Sequence, residues 1–212
     1  MTSPEECIYY ARKNIIPAIY RTVKIEVPSI TLPDTENIIK NGHIQQLQDS
    51  DIVTVINLKH AWEKLLSDYQ EFPDFVTISS YNREIGRGII DSAGEMRTSS
   101  VTISGTGWRP SMPDMAHITS DLDEAYQEND AGRRALIRFA KTCRGQWFSD
   151  GNKRTAAMIA NHSLIQDGVG VFLIDEEKLS NGDFASNLIS YYENNNIESF
   201  VDWLEEYALI RL

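Results

Sequence analysis

The chain has 212 residues, 42% apolar and 24% charged, a balance that suits one sizeable folded domain and excludes a disordered one. Thirty-one Asp and Glu against 20 Lys and Arg give a formal net charge of −11, which opposes non-specific nucleic-acid binding, and no basic amphipathic stripe favours a membrane surface. Cys7 and Cys143 are the only cysteines, Met1-Thr2-Ser3-Pro4-Glu5-Glu6 does not read as a signal peptide, and no apolar run is long enough for a bilayer. The expectation is a cytoplasmic protein without a disulfide framework.

In chain order, Cys7, Ile8, Ala11, Ile15 and Ile16 predict a helix over Glu5–Tyr20 with a kink or end at Pro17. The connector 29–36 leads to a second helix through Ile38 and Ile39, closed by Asn41-Gly42. Ile52, Val55, Ile56, Ala61, Trp62, Leu65 and Leu66 predict a longer helix from Asp49 to about Tyr69, and Val76, Ile78 and Ile85 another over Phe75–Gly86. Thr98, Val101, Thr102 and Ile103 favour extended chain, with Ser104-Gly105-Thr106-Gly107 as a turn. The stretch Arg97–Pro110 is therefore predicted as a β-hairpin or extended flap. Helical signal returns over Ile118–Cys143, divided near Asn129–Gly132. Ala156, Ala157, Ile159, Ala160 and Leu164 predict a compact apolar helix ending near Asp167-Gly168. Two last helices are marked by Phe184, Leu188 and Ile189, then by Phe200, Leu204, Tyr207 and Ala208. The fold class is mainly α, with a small β-hairpin flap. The expected division is an N-terminal helical region, 1–48, and a helical core, 49–212.

Chemistry concentrates in Gln146-Trp147-Phe148-Ser149-Asp150-Gly151-Asn152-Lys153-Arg154-Thr155. An acid, a glycine, an amide and two cations fall where a helix begins. Early helical amides lack internal acceptors and can bind phosphate oxygens. Gly151 permits close approach of an anion, Arg154 can clamp phosphate with its planar fork, and Asp150 can hold magnesium. Taken alone, the same string also reads as a turn followed by solvated cations.

The longer pattern resembles the Fic family (the Fido fold), whose signature is His-x-Phe-x-Asp/Glu-Gly-Asn-x-Arg-x-x-Arg. Phe148, Asp150, Gly151, Asn152 and Arg154 match in register, and Lys153-Arg154-Thr155 is similar to the ending of Doc-like members. Gly94-x-x-Arg97, then Ile103-Ser104-Gly105 and Pro110, resembles the family's flap. The resemblance implies transfer of a nucleotide-derived group, most often AMP from ATP, to a Ser, Thr or Tyr hydroxyl of a target protein. It implies that Asp150 holds Mg2+, that Gly151, Asn152, Lys153 and Arg154 form the nucleotide site, and that Thr102, Ile103, Ser104 and Gly105 align a target strand.

Two positions depart from that signature. The family's catalytic histidine falls at Gln146 and its second arginine at Ala157. A carboxamide has no basicity comparable to imidazole, and losing a general base costs about 10²–10⁴-fold in rate. His43, His60, His117 and His162 are the only histidines; His117, just after the flap, is the better-placed substitute, and His162 reads as structural. Thr22 and Glu26 resemble the family's inhibitory segment, with Val27 where Gly or Asn is usual. In relatives that glutamate pairs with the second arginine; here Lys153 or Arg154 are alternative partners. The expectation is thus a Mg-nucleotide site with weak or altered protein adenylyltransferase activity. The alternatives are an inactive nucleotide- or protein-binding module and a Doc-like protein kinase. A protein target or regulatory partner is implied; no nucleic acid and no membrane are.

Overall fold

The computed structural model describes residues 2–42 and 47–212, so His43 lies outside the described residues. Eleven helices and two short strands are described: α1 (Pro4–Lys13), α2 (Ile15–Lys24), α3 (Leu32–Asn41), α4 (Asp49–Asp68), α5 (Phe75–Gly86), α6 (Met115–Tyr126), α7 (Ala131–Gly145), α8 (Asn152–Gln166), β1 (Gly170–Phe172), α9 (Glu176–Ser180), α10 (Asp183–Asn194), α11 (Ile197–Tyr207) and β2 (Leu209–Arg211). Local signals explain many of the boundaries. Ser3 and Glu6 form a capping box on α1, Thr31 and Asp34 another on α3, and Gly42 closes α3 in the left-handed region. Asp130 caps α7 through the Arg133 amide, which accounts for the break expected near Asn129–Gly132.

The first helix differs from expectation. The chain breaks at Asn14, and α2 runs through Pro17 to Lys24. Pro17 is the third residue of α2, where the backbone N–H would have no intrahelical acceptor, so proline is tolerated.

Helix α8 is the centre of the molecule. It packs against α7, α5, β1, α1, α4 and α2, and Arg154–Ile165 are all buried. A helix buried on every face must both pack its apolar residues and pair its polar ones. One side, with Met158, Ile159 and Ile165, joins a cluster that includes Ile19, Leu58, Trp62 and Phe148. The other, with Ala156, Ala157, Ala160 and Leu164, joins Phe139, Phe172, Tyr192 and Phe200. Several buried polar side chains on α8 are tied to neighbours, Asn161 and His162 among them. Asn161 exchanges bonds with both the carbonyl and the amide of Phe172, at 3.0 and 2.9 Å. His162 Nδ1 lies 2.6 Å from the Tyr81 hydroxyl and Nε2 lies 2.9 Å from the Glu71 carbonyl.

The ladder among the described residues is not in the flap. Antiparallel β1 and β2 pair Gly170 with Arg211, Val171 with Ile210 and Phe172 with Leu209. A Cβ on Gly170 would sit 1.9 Å from the Ile210 carbonyl oxygen, so this pairing requires glycine. Thr2 Oγ1 donates to the Leu212 carbonyl, which brings the two ends of the chain together. Residues 97–110 form the extended flap rather than a paired hairpin, with a turn at Ser104-Gly105. No helix among the described residues is long and apolar enough to cross a membrane.

Candidate functional site

The α7–α8 connection carries the motif. Gln146 ends α7 with φ +46 and Gly151 precedes α8 with φ +77, so two left-handed residues bracket the loop. A Cβ at Gly151 would approach Asn82 Nδ2 and Ile85 Cγ2 at 3.2 and 3.3 Å. Phe148 is fully buried and stacks on Phe75 with centroids 5.8 Å apart, anchoring the loop from inside. Asn152 is the internal brace: its Oδ1 accepts from the Phe148 amide at 3.0 Å, and its Nδ2 donates to the Phe148 carbonyl at 2.8 Å.

The same Nδ2 donates to Gln146 Oε1 at 3.1 Å, while Gln146 Nε2 donates to the Cys143 carbonyl at 2.7 Å and contacts the Tyr192 hydroxyl at 3.4 Å. Gln146 is 6% exposed. Both ends of its carboxamide are therefore engaged in holding the loop. A neutral amide so committed is a poor proton acceptor.

Asp150 does not cap α8 with its side chain; Gly151 is the N-cap, and Asp150 Oδ1 accepts from the Gly151 amide at 2.5 Å. The Asp150 side chain is 64% exposed, free to meet a cation. Arg154 is the opposite case. It is 4% exposed, its Nε is buried without a hydrogen-bond partner, and its nearest carboxylate oxygen is Asp150 Oδ1 at 3.5 Å. Its guanidinium is thus short of acceptors within the protein, with Asp150 its one side-chain partner among the described residues. Among the described residues no group of three or more His, Cys, Asp or Glu could hold a metal. Magnesium would rest on Asp150 and on the phosphates of its ligand.

A cavity of about 320 Å³ gathers these residues. Gln146, Asp150, Asn152 and Lys153 line it together with Thr102, Ile103 and Ser104 of the flap, Glu26 and Tyr192. Gly151, Arg154, Gly105 and Thr22 do not line it. Glu26 closes one side through an ion pair with Lys153, 3.2 Å long, both side chains being 29% exposed. Thr22 instead bonds back to the Ala18 carbonyl at 2.8 Å and, with Ile25, lines a small void beside Ala157. The position of the second arginine is thus occupied by apolar packing.

Solved structures resemble this architecture. Fic-1 (residues 134–508) from C. elegans matches with a TM-score of 0.78 at 22% identity, covering 92% of this chain and 60% of that one. A Fic domain containing signaling protein from Bacteroides thetaiotaomicron VPI-5482 matches at 0.75 and 23%, covering 97% and 87%. A Fic family protein from Desulfovibrio desulfuricans G20 matches at 0.69 and 18%, covering 91% and 61%. The chain has the Fic fold. It spans about 60% of the Fic-1 chain and 61% of the Desulfovibrio one. No family model and no curated protein matches the sequence.

Two residues that position the site, Asn82 and Tyr192, carry no sequence expectation, and a third, Arg97, was expected only as part of the flap. Asn82, fully buried on α5, donates to the Asp150 carbonyl at 2.9 Å and to Thr155 Oγ1 at 3.0 Å, and accepts from the Gly94 amide at 2.8 Å. Arg97 had marked only the start of the flap. It is buried, and burial lowers its pKa. Its Nε donates to the Gln146 carbonyl at 2.6 Å, and its terminal nitrogens donate to the carbonyls of Ser99 (2.7 Å) and Ser111. Tyr192 forms the floor of the cleft; its phenol is held well above the usual range, first by burial and then by Cys143. A polar residue on an otherwise apolar helix face is the one signal that could have found Asn82.

The substitute bases do not reach the cleft. His117 is exposed, paired with Asp114, and lines a different cavity. His162 is fully buried in its bonds to Tyr81 and Glu71, and burial lowers its pKa. Cys143 is buried, and burial raises its thiol pKa.

Proposed function

We infer that the protein is a Fic-family member that binds a magnesium nucleotide in the cleft between the motif loop, the flap and Glu26. The observation that carries this reading is the cleft at the start of α8, where Asp150 and Lys153 face the flap, with the buried Arg154 guanidinium behind the loop. Phosphate oxygens would meet Lys153 and the first amides of α8, with Asp150 sharing the metal and Gly151 and Asn152 shaping the loop. The reaction fitting the family resemblance is AMP transfer to a protein hydroxyl. The hydroxyl oxygen bonds to the α-phosphorus, the bond to pyrophosphate breaks, and the hydroxyl proton must leave.

That last requirement is where this chain differs. Gln146 stands at the histidine position and spends its amide on Cys143, Tyr192 and Asn152. Transfer by the usual route is therefore weak, and the protein acts chiefly as a nucleotide- and partner-binding module. The Glu26–Lys153 pair occupies the cation that Doc-like phosphate transfer would call on, so a kinase reading gains nothing from it.

The test is intact-mass analysis of parent and Gln146→His after incubation with Mg-ATP and a cell lysate, alongside calorimetric titration with Mg-ATP. The expected result is nucleotide binding by both proteins and AMP addition in the His variant, faster than the parent by about 10²–10⁴-fold. Arg154→Ala should lose binding. Absence of binding by both parent and His variant would overturn the reading, and phosphate addition would replace AMP transfer with a kinase. Glu26→Gly is expected to tighten nucleotide binding by freeing Lys153; unchanged affinity would remove the inhibitory role.

A further inference from the structure

A cavity of about 490 Å³ opens on the other side of the flap, between its return limb, α6, the end of α7 and the end of α10. Gly145 and Trp147 both line it, whereas the intervening Gln146 lines the motif cleft. The two cavities are thus set back to back across one peptide segment.

The cations of this second cavity differ in what they hold. Lys141 is already bonded to Asp121 at 3.1 Å and to Glu124 at 2.6 Å. Arg144 has no carboxylate within ion-pair distance among the described residues. Its only hydrogen bond there runs from one terminal nitrogen to the Tyr192 carbonyl at 3.3 Å, and its Nε is buried without a partner. The guanidinium lies 4.9 Å from the Trp108 ring centroid and 5.9 Å from that of Tyr191. Aromatic faces fix the plane of a guanidinium; with Nε buried, the two terminal nitrogens are the edge left for a forked bond to a carboxylate.

The surrounding charge narrows the ligand. Asp121 and Glu124 on the facing wall would repel an extended polyanion, and the chain's net charge of −11 acts in the same direction. A single carboxylate flanked by a flat or apolar group fits; a phosphate backbone does not. We propose that this cavity is a carboxylate-binding site, with Arg144 as the fork and Trp108 and Tyr191 as its aromatic walls. Its natural occupant is either a small carboxylic acid or an Asp or Glu side chain of a partner polypeptide. Trp108 also stacks on Tyr192 of the motif cleft, centroids 5.1 Å apart, so an occupant here touches a flap residue packed on the wall of the other site.

The test is 19F NMR of the whole chain labelled with 5-fluorotryptophan, the Trp108 and Trp147 signals being assigned by Trp→Phe variants. Probes come in matched pairs: benzoate against benzamide, and acetyl-Gly-Glu-Gly-amide against its glutamine counterpart. Benzoate should move the Trp108 signal saturably in the millimolar range, with no comparable movement from benzamide and none at Trp62 or Trp203. Arg144→Gln, checked for native dispersion of all four signals before titration, should lose the response. A response to the glutamate peptide as well assigns the site to a polypeptide; a response to benzoate alone assigns it to a small acid. Equal responses to charged and neutral probes, or no response to either carboxylate in the native protein, would overturn the proposal without recourse to a variant.

Discussion

The motif loop and the flap face each other across one cleft, yet they are held by different means. The loop is bonded from within by Asn152 and from behind by Asn82, and it is pinned by Phe148 in the core. The flap has no ladder of its own. It hangs on Arg97 at its base, Trp108 against Tyr192, and a 2.7 Å bond from Thr106 to Glu193. Rigidity here comes from side chains that satisfy backbone groups, and secondary structure alone would not have supplied it. The group that would meet phosphate is fixed, while the edge that would meet a target is attached at a few points.

The contrast makes graded predictions. Phe148→Ala should have the largest effect, about 3–5 kcal/mol of global stability by urea unfolding, since it empties a fully buried aromatic site. Arg97→Met should remove hydrogen bonds from a charged donor, each worth about 1.5–3 kcal/mol. Its signature is graded: faster amide exchange over residues 98–111, with a smaller change in the motif loop, where Gln146 loses one bond but Asn152, Asn82 and Phe148 still hold. A uniform loss across both regions would erase the distinction between them. Asn82→Ala should leave the Gly94 amide and Asp150 carbonyl short of partners, at about 1–3 kcal/mol, and the exchange it speeds should be in the motif loop.

Acid should weaken the fold by a separate route. Burial, the largest cause, holds the His162 pKa below its ordinary 6.5, although the Glu71 carbonyl acts in the opposite sense. Between the folded and unfolded values the unfolded chain binds more protons, so stability is full above about pH 6.5 and falls as pH drops through it. His162→Gln should flatten that part of the stability profile, and an unchanged slope would show that another group carries it. Thr106→Val is the smallest change, within about 0.5 kcal/mol globally. It should still quicken exchange at the flap tip.

Much of the fold was legible because its signals are local. Phe75–Gly86, the break before Ala131 and the end of α3 at Gly42 follow from periodicity, an Asp cap and a left-handed glycine. The two strands were not legible: β1 is three buried residues whose partner lies at the far end of the chain, and no local pattern encodes that pairing. Pro17 misled because proline stops a helix interior but not a first turn. In the site, the motif residues announce themselves by type and spacing. Lys153 with Glu26 was one of several pairings the sequence allowed, and distance alone selects it. Asn82 and Tyr192 reach the site through packing between elements remote in sequence; Asn82 shows only as a polar residue on a buried helix face, and Tyr192 not at all.

The meeting of Thr2 with Leu212 has a topological consequence. Beginning and end lie on the same side of β1, with the Leu212 amide also bonded to the Val169 carbonyl at 3.1 Å. A short peptide joining them would close the chain into a ring with little rearrangement. Such a ring could be reopened at the turn beside Gly182, where a Cβ would meet nothing within 4 Å. The permuted molecule would carry its new termini beside α10, the helix that supports the flap.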